Sequence, residues 1–323
     1  RAERRHVRHL GTAMSWTGPV PEIEAAVFTE MPERFRRRGV RTAWAAANKG
    51  APVDSFLEGP AFDAEGNLWV ADIPFGRVFR IGPDGDWTLM TEYDGEPNGM
   101  RHGPDGRVWI ADYRNGVMAL DPSTGSVSPV IERVRAERFK GPNDLCFAAN
   151  GDLYFTDQGA TGMHDPTGRV YRLAADGRLD RLLVNGPSPN GLVLDAEESA
   201  LFVAMTRSNE VWRLPLTPEG GTAKVQVFHR FFGGLSGPDG LALDEEGGLA
   251  ICHAGLGRVF LVDRLGQPRS AIRSPRGLTT TNLAFGGPDM KTVYVTESET
   301  GAILTARVDR CGSPLRFDPR FRA

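Results

Sequence analysis

The sequence predicts an all-β fold: a six-bladed β-propeller with four-stranded antiparallel blades around a central channel, preceded by an N-terminal extension. Three observations carry this. One pattern recurs six times: a polar residue, a short apolar strand, an acidic or Gly turn, a β-branched and aromatic strand, a Gly turn and a third strand. Its starts, at Glu58, Asn98, Asn143, Asn190, Asp239 and Asn282, are 40, 45, 47, 49 and 43 residues apart, as propeller blades are. The 323 residues include 39 Gly and 23 Pro, which supply turns and argue against a helical bundle.

The elements follow in order. Ala26–Thr29 has strand composition and precedes the first repeat, so it should pair as the outer strand of the last blade and leave no open edge. Residues 33–55 exceed what the repeat needs and read as an insertion near the channel mouth, with a helical turn or two at 41–48. Blade 1 runs from Glu58 and gains its fourth strand at Trp87–Met90. Blade 2 starts at Asn98. Blade 3 starts at Asn143 and has the longest loop after its second strand, Gln158 to Arg169. Blade 4 starts at Asn190, with an outer strand at Lys224–Phe228, and blades 5 and 6 start at Asp239 and Asn282. The organisation is therefore an extension over 1–25, a propeller over 26–311 and a tail over 312–323. The Gly-His and Trp-Asp signature of WD40 blades is absent, which disfavours that array.

Composition narrows the function classes. A formal charge of −3 gives no electrostatic case for nucleic acid. The imbalance is local: the first 41 residues carry +4 and the rest −7. Arg34, Arg36, Arg37, Arg38 and Arg41 form a cluster that reads either as a solvated surface segment or as a cationic flap over the mouth. Cys146, Cys252 and Cys311 are scattered without CxxC spacing, which excludes a disulfide framework and fits a reducing, cytoplasmic setting. No apolar run reaches the roughly 18 residues of a membrane span. The basic first 20 residues lack the apolar core of a signal peptide.

The six heads, Glu, Asn, Asn, Asn, Asp and Asn, begin the innermost strands and should converge at one opening of the channel. Asn and Asp before Gly often only cap turns. That does not account for Glu58 before Gly-Pro, or for Asn282 before Leu. Carboxylate and amide oxygens without thiolate or imidazole are hard ligands, suited to Ca²⁺, Mg²⁺ or Mn²⁺. Two carboxylates against a dication leave the site near neutral, with positions open to substrate and water. The loops after the second strands should frame the mouth with Asp72, Asp112, Tyr113, Asp157, Gln158, Thr206, His253 and Glu297. Asp72 and Asp112 read as ties between blades through backbone hydrogen bonds. His164, on the long blade 3 loop, and His253 are candidates for substrate contact, with Asn98, Asn143 and Asn282.

The heads Glu58-Gly-Pro, Asn143-Asp, Ser188-Pro-Asn190-Gly and Gly237-Pro-Asp239-Gly resemble the gluconolactonase, senescence-marker-protein (regucalcin-like) and luciferin-regenerating-enzyme family. The resemblance spans roughly residues 56–308. It implies one divalent metal ion in the channel, Ca²⁺ first and Zn²⁺, Mn²⁺ or Mg²⁺ as alternatives, and hydrolysis of lactones or related esters. The implied metal ligands are Glu58, Asn190 and Asp239. Asn143 matches the amide that touches water or substrate, and Asp239 matches the catalytic base. One departure stands out. Where aldonolactonases of this type often carry an Arg two residues before the blade 3 Asn, this chain has Gly141 beside Lys140. That points away from a simple aldonolactone and towards a bulkier, less hydroxylated lactone or ester.

The expected activity is thus metal-dependent opening of a small-molecule lactone, with the ion as Lewis acid and Asp239 or a metal-bound water as base. An arylesterase or phosphotriesterase on the same scaffold is the alternative enzyme, and a non-catalytic ligand-binding propeller the alternative class. No GxSxG elbow, P-loop or GxGxxG fingerprint competes.

Overall fold

The computed structural model describes residues 20–321, so most of the 1–25 extension and the last two residues of the tail lie outside the described residues. Six small antiparallel sheets form a ring. Their innermost strands are Leu57–Phe62, Pro97–His102, Pro142–Phe147, Pro189–Leu194, Gly237–Leu243 and Thr280–Gly286. Ala26–Glu30 pairs antiparallel with Ala302–Arg307, so the chain start supplies the outer strand of the last blade. One detail departs from a uniform four-stranded plan. Glu22–Glu24 adds in parallel to Pro268–Arg273 and makes the blade 5 sheet five-stranded. This strand covers an edge that would otherwise offer unpaired backbone groups.

The core lies between blades rather than in the channel. Leu283, Val293, Val295 and Leu304 of blade 6 pack with Cys252, Val259 and Ile272 of blade 5. A matching layer joins blades 3 and 4 through Tyr154, Val170, Leu192 and Val203. Alternating strands present apolar side chains to both neighbouring blades, which leaves the inner strands' first residues to line the axis.

All six inner pairs shift register at their polar head, between Glu58 and Ala61, Pro97 and Met100, Pro142 and Leu145, Pro189 and Leu192, Pro238 and Leu241, and Thr280 and Leu283. A bulge bends the strand and re-aims the side chains beside it. The repeated bulge is what gives the heads a common orientation relative to the ring. Glycine after the head permits the crowding that results. A Cβ on Gly99 would lie 2.1 Å from Asp144 Oδ1, and one on Gly240 2.1 Å from Asn282 Oδ1.

Residues 33–55 contain a short 3-10 turn, Glu33–Phe35, and the helix Ala43–Asn48, whose first turn is capped by Thr42 Oγ1 accepting from Ala45 N at 3.1 Å. Four of the five clustered arginines are held by bonds at the surface, Arg41 is exposed, and none of the five lines the mouth cavity. Arg36 bonds to Met31 O, Asp54 and Thr300 O, Arg37 pairs with Glu92, Arg38 pairs with Glu33, and Arg34 reaches Trp87 O. These bonds tie the insertion to blades 1 and 6. At the opposite end of the ring, Arg320 of the tail stacks on Phe62 at 4.5 Å and donates to Phe285 O at 3.1 Å. Cys146, Cys252 and Cys311 are all free thiols. Among the described residues no helix is long and apolar enough to cross a membrane.

Candidate functional site

The mouth of the ring encloses a cavity of about 410 Å³. Five of the six blades contribute their heads to it or to its floor as lining residues: Glu58, Asn98, Asn143, Asn190 and Asp239. The sixth, Asn282, is 1% exposed and sits against the floor, where its Nδ2 donates to Glu58 Oε2 at 2.9 Å and to Asp144 Oδ2 at 3.3 Å. The roof and sides come from elsewhere. The insertion gives Trp44, Asn48 and Lys49, and the mouth loops give Tyr113, Gln158, Thr206 and Arg207.

The floor is electrostatically tense. Glu58 is buried, and Oε2 also accepts from Gly59 N at 2.7 Å. Burial pushes its pKa up to about 7, against the pull of the Gly59 amide and Asn282, with Asp144 adding repulsion. Asp239 is held well above the usual carboxylate range, first by burial and then by Glu58 and Asp144, with Lys49 and Asn190 opposing. Asp144, beside the head of blade 3, is fully buried; its Oδ1 accepts from Leu145 N at 2.8 Å, and Arg101 stands 3.9 Å away.

Among the described residues, three buried oxygens at this floor have no hydrogen-bond partner: Asn98 Oδ1, Asn190 Oδ1 and Asp239 Oδ1. Buried polar atoms are normally satisfied, so three orphans in one cavity need an explanation. Among the described residues no three His, Cys, Asp or Glu side chains gather as a metal cluster. The donor set is instead two carboxylates with amides, and its unpaired, all-oxygen character fits a hard divalent cation. Asn143 is held differently. Its Nδ2 donates to Gln158 Oε1 at 3.0 Å, and Gln158 Nε2 in turn donates to Ser188 Oγ at 3.0 Å. That chain fixes the amide and leaves Asn143 Oδ1 without a protein partner among the described residues.

The two histidines do not join the cavity. His164 is exposed on the blade 3 loop and is not part of the lining. His253 is wholly buried behind the wall, between Phe231 and Phe260, and burial lowers its pKa to about 4. Its Nε2 donates to Asn209 Oδ1 at 2.8 Å. Asp72, Asp112 and Asp157 tie backbone: Asp72 Oδ1 accepts from Phe56 N at 2.8 Å, Asp112 Oδ2 from Glu96 N at 3.1 Å and Asp157 Oδ1 from Gly141 N at 2.8 Å. Gly141 has φ 153°, and a Cβ there would meet the Tyr113 ring at 2.6 Å. Tyr113 therefore occupies the space a side chain at 141 would enter.

Sequence reasoning missed Asp144, Lys49 and Trp44. Asp144 carried a signal: the residue after the head is Gly in blades 1, 2, 4 and 5, and Asp only here. Lys49 and Trp44 lie outside the repeat and carried none.

Comparison with known proteins gives a consistent result. The model of the SMP-30/gluconolactonase/LRE-like region matches residues 56–299. A gluconolactonase of Zymomonas mobilis is 32% identical over 260 residues, covering 71% of this chain and 72% of that protein. Lactonase drp35 of Staphylococcus aureus is 28% identical over 231 residues, 68% of this chain and 70% of that one. Among solved structures, a calcium-binding protein, regucalcin, of Agrobacterium tumefaciens superposes with a TM-score of 0.74 at 23% identity, covering 95% of this chain and all of that one. At that identity the likeness speaks for the fold.

Proposed function

The chain belongs to the SMP-30/gluconolactonase/LRE-like family, and on that premise we propose that it is a divalent-metal-dependent lactonase that opens a cyclic ester with water. The observation that carries the reading is the convergence of Glu58, Asn190 and Asp239 at one cavity floor, with Asn190 Oδ1 and Asp239 Oδ1 buried and unpartnered. These three residues would hold the cation, with Ca²⁺ the first expectation from the all-oxygen donor set. When bound, such an ion supplies positive charge against the ester carbonyl oxygen and its developing negative charge.

The remaining work falls to the chain. Asn282 and the Gly59 amide fix Glu58 through Oε2. Asn143, locked by Gln158, offers Oδ1 to the attacking water, and the Asp239 carboxylate takes that water's proton. The new C–O bond and the breaking ring C–O bond yield a hydroxy acid, and the proton on Asp239 passes to the leaving alkoxide. Residues 33–55 roof the cavity and, through Trp44 and Asn48, narrow what can lie over the floor. The three free thiols suit a reducing compartment such as the cytoplasm.

The test is proton release from a panel of lactones by metal-stripped protein, with and without Ca²⁺, Mn²⁺, Mg²⁺ or Zn²⁺. Hydrolysis restored by metal is the expected result. No hydrolysis of any lactone with metal demonstrably bound overturns the reading.

A further inference from the structure

The cavity walls carry two cations that the hydrolytic chemistry does not use. Lys49 closes the helix Ala43–Asn48, with its N–H bonded to Ala45 O at 2.9 Å. Its Nζ stands 4.3 Å above the Phe56 ring, and Phe56 lines the same cavity. Arg207 is carried by the 3-10 turn Thr206–Ser208, which follows the second strand of blade 4. Both line the cavity whose floor is Glu58 and Asp239.

What sets the pair apart is that, among the described residues, neither forms an ion pair or donates a side-chain hydrogen bond. Most of the arginines around them are engaged. Arg36 meets Asp54, Arg38 meets Glu33, Arg77 meets Asp72, Arg169 meets Glu137 and Arg258 meets Glu22. A lysine at a helix C-terminus has a bland role in complementing the helix dipole. Six residues make a weak dipole, however, and the cation–π contact draws the ammonium over the cavity wall rather than towards the helix end.

The turn bearing Arg207 is also built firmly. Asn209 closes it in the left-handed region at φ 60°, donates through Nδ2 to Gly233 O at 2.8 Å and accepts from His253 at 2.8 Å. The buried imidazole thus acts through Asn209 to hold the turn, and the Arg207 amide is itself fixed to Pro187 O at 3.2 Å.

Charge arithmetic then points to the ligand. With a dication at the floor, Glu58 and Asp239 are balanced, and Lys49 and Arg207 against exposed Glu299, the only acid among the other lining residues, leave a surplus of one positive charge. A neutral lactone would leave both donors unused. We infer that Lys49 and Arg207 form an anion-reading wall, and that the substrate is a lactone bearing a carboxylate or comparable anionic substituent away from the reacting ester. This deepens the lactonase reading and rests on it. Lys49 and Arg207 are specificity-determining residues, not catalytic ones.

The experiment compares two matched lactones with wild-type protein, Lys49→Met, Arg207→Met and the double variant, all metal-loaded. One is the six-carbon aldonolactone glucono-1,4-lactone. The other is glucaro-1,4-lactone, the same ring with a terminal carboxylate in place of the hydroxymethyl group. Wild type should favour the anionic lactone, with a KM that rises with salt. The ratio of kcat/KM for the anionic over the neutral lactone should fall by about 10- to 100-fold in the variants, the worth of charge-assisted hydrogen bonds, mostly through KM. Equal effects on both lactones, or none, overturn the inference and leave lactone hydrolysis standing. If neither of these two lactones is hydrolysed, the lactonase reading stands or falls on the wider lactone panel, and the wall is judged by binding. Calorimetric binding of glucarate to the same four proteins then decides: loss of binding in the variants upholds the anion-reading wall, and equal binding discards it.

Discussion

Asn282 donates from Nδ2 to Glu58 Oε2 at 2.9 Å, so the head of the last blade holds the head of the first across the seam where the ring closes. Asn282 Oδ1 meanwhile accepts from Leu283 N at 2.8 Å, which fixes the amide's orientation. Asn282, by sequence a candidate for substrate contact, is placed as a support beneath the carboxylate. Removing it with Asn282→Ala should weaken divalent-ion affinity by about 10- to 100-fold, the usual cost of losing an outer partner of a ligand. Calorimetry with Ca²⁺ measures this, and circular dichroism distinguishes it from loss of the fold. Unchanged affinity would separate Asn282 from the site.

The raised pKa of Glu58 sets a pH dependence for the metal-free protein. Its folded value, about 7, lies above the ordinary 4.5, so the folded state binds the proton more tightly than the unfolded state. The associated stability is fully present below pH 4.5 and is lost as pH rises towards 7. Thermal melts of metal-stripped protein should show Tm falling across that window from this group. Saturating Ca²⁺ should remove the fall, because the ion stabilises the ionised carboxylate, and its binding should release protons. Calorimetry in two buffers of different ionisation enthalpy reads the released protons, and absence of release near pH 6 would refute this account.

Asp239 should show a trade between stability and activity. Burial, Glu58 and Asp144 all disfavour its charge. Asp239→Asn keeps the shape and removes that repulsion, so metal-free Tm should rise. Lactone turnover should fall by about 10²-fold or more with loss of the base, together with metal affinity. Melting curves and proton-release rates on the same preparation check both signs. Retained turnover would remove Asp239 from the mechanism.

The ring and most of its floor were legible because both are periodic. Six heads at spacings of 40 to 49 residues mark six inner strands, and the same spacing places Glu58, Asn98, Asn143, Asn190 and Asp239 at one opening. The bulge beside each head was not legible, since it is a pairing irregularity rather than a composition. His164 and His253 show where the reasoning fails. His164 follows the second strand of blade 3 and His253 lies near the end of the second strand of blade 5, but whether each faces the cavity, the next blade or solvent depends on side-chain direction, which the repeat spacing does not encode. His253 went to the core beside Phe231 and His164 to the surface. Lys49 was invisible for the opposite reason, because the insertion has no repeat to compare it with.

That insertion is anchored by a buried ion pair, which yields the last prediction. Asp72 accepts from Phe56 N at 2.8 Å through Oδ1, and through Oδ2 from Arg77 Nε at 2.9 Å and Nη2 at 2.5 Å. Arg77 Nη1 reaches Phe35 O at 2.7 Å. The pair thereby joins blade 1 to both ends of the segment that carries Trp44 and Lys49. Asp72→Ala leaves a buried guanidinium unpaired and should cost about 3–5 kcal/mol, read from urea unfolding. Arg77→Met is the informative companion: it fills the space with apolar bulk, and although it frees Phe35 O and leaves Asp72 Oδ2 unpaired, that carboxyl can take up a proton where a buried guanidinium cannot lose one. This variant should cost less in stability yet still loosen the roof, raising KM more than it lowers kcat. An Arg77→Met enzyme with wild-type KM would mean that the insertion holds its place over the cavity without this anchor, through the Arg36 bonds to Asp54 and Thr300.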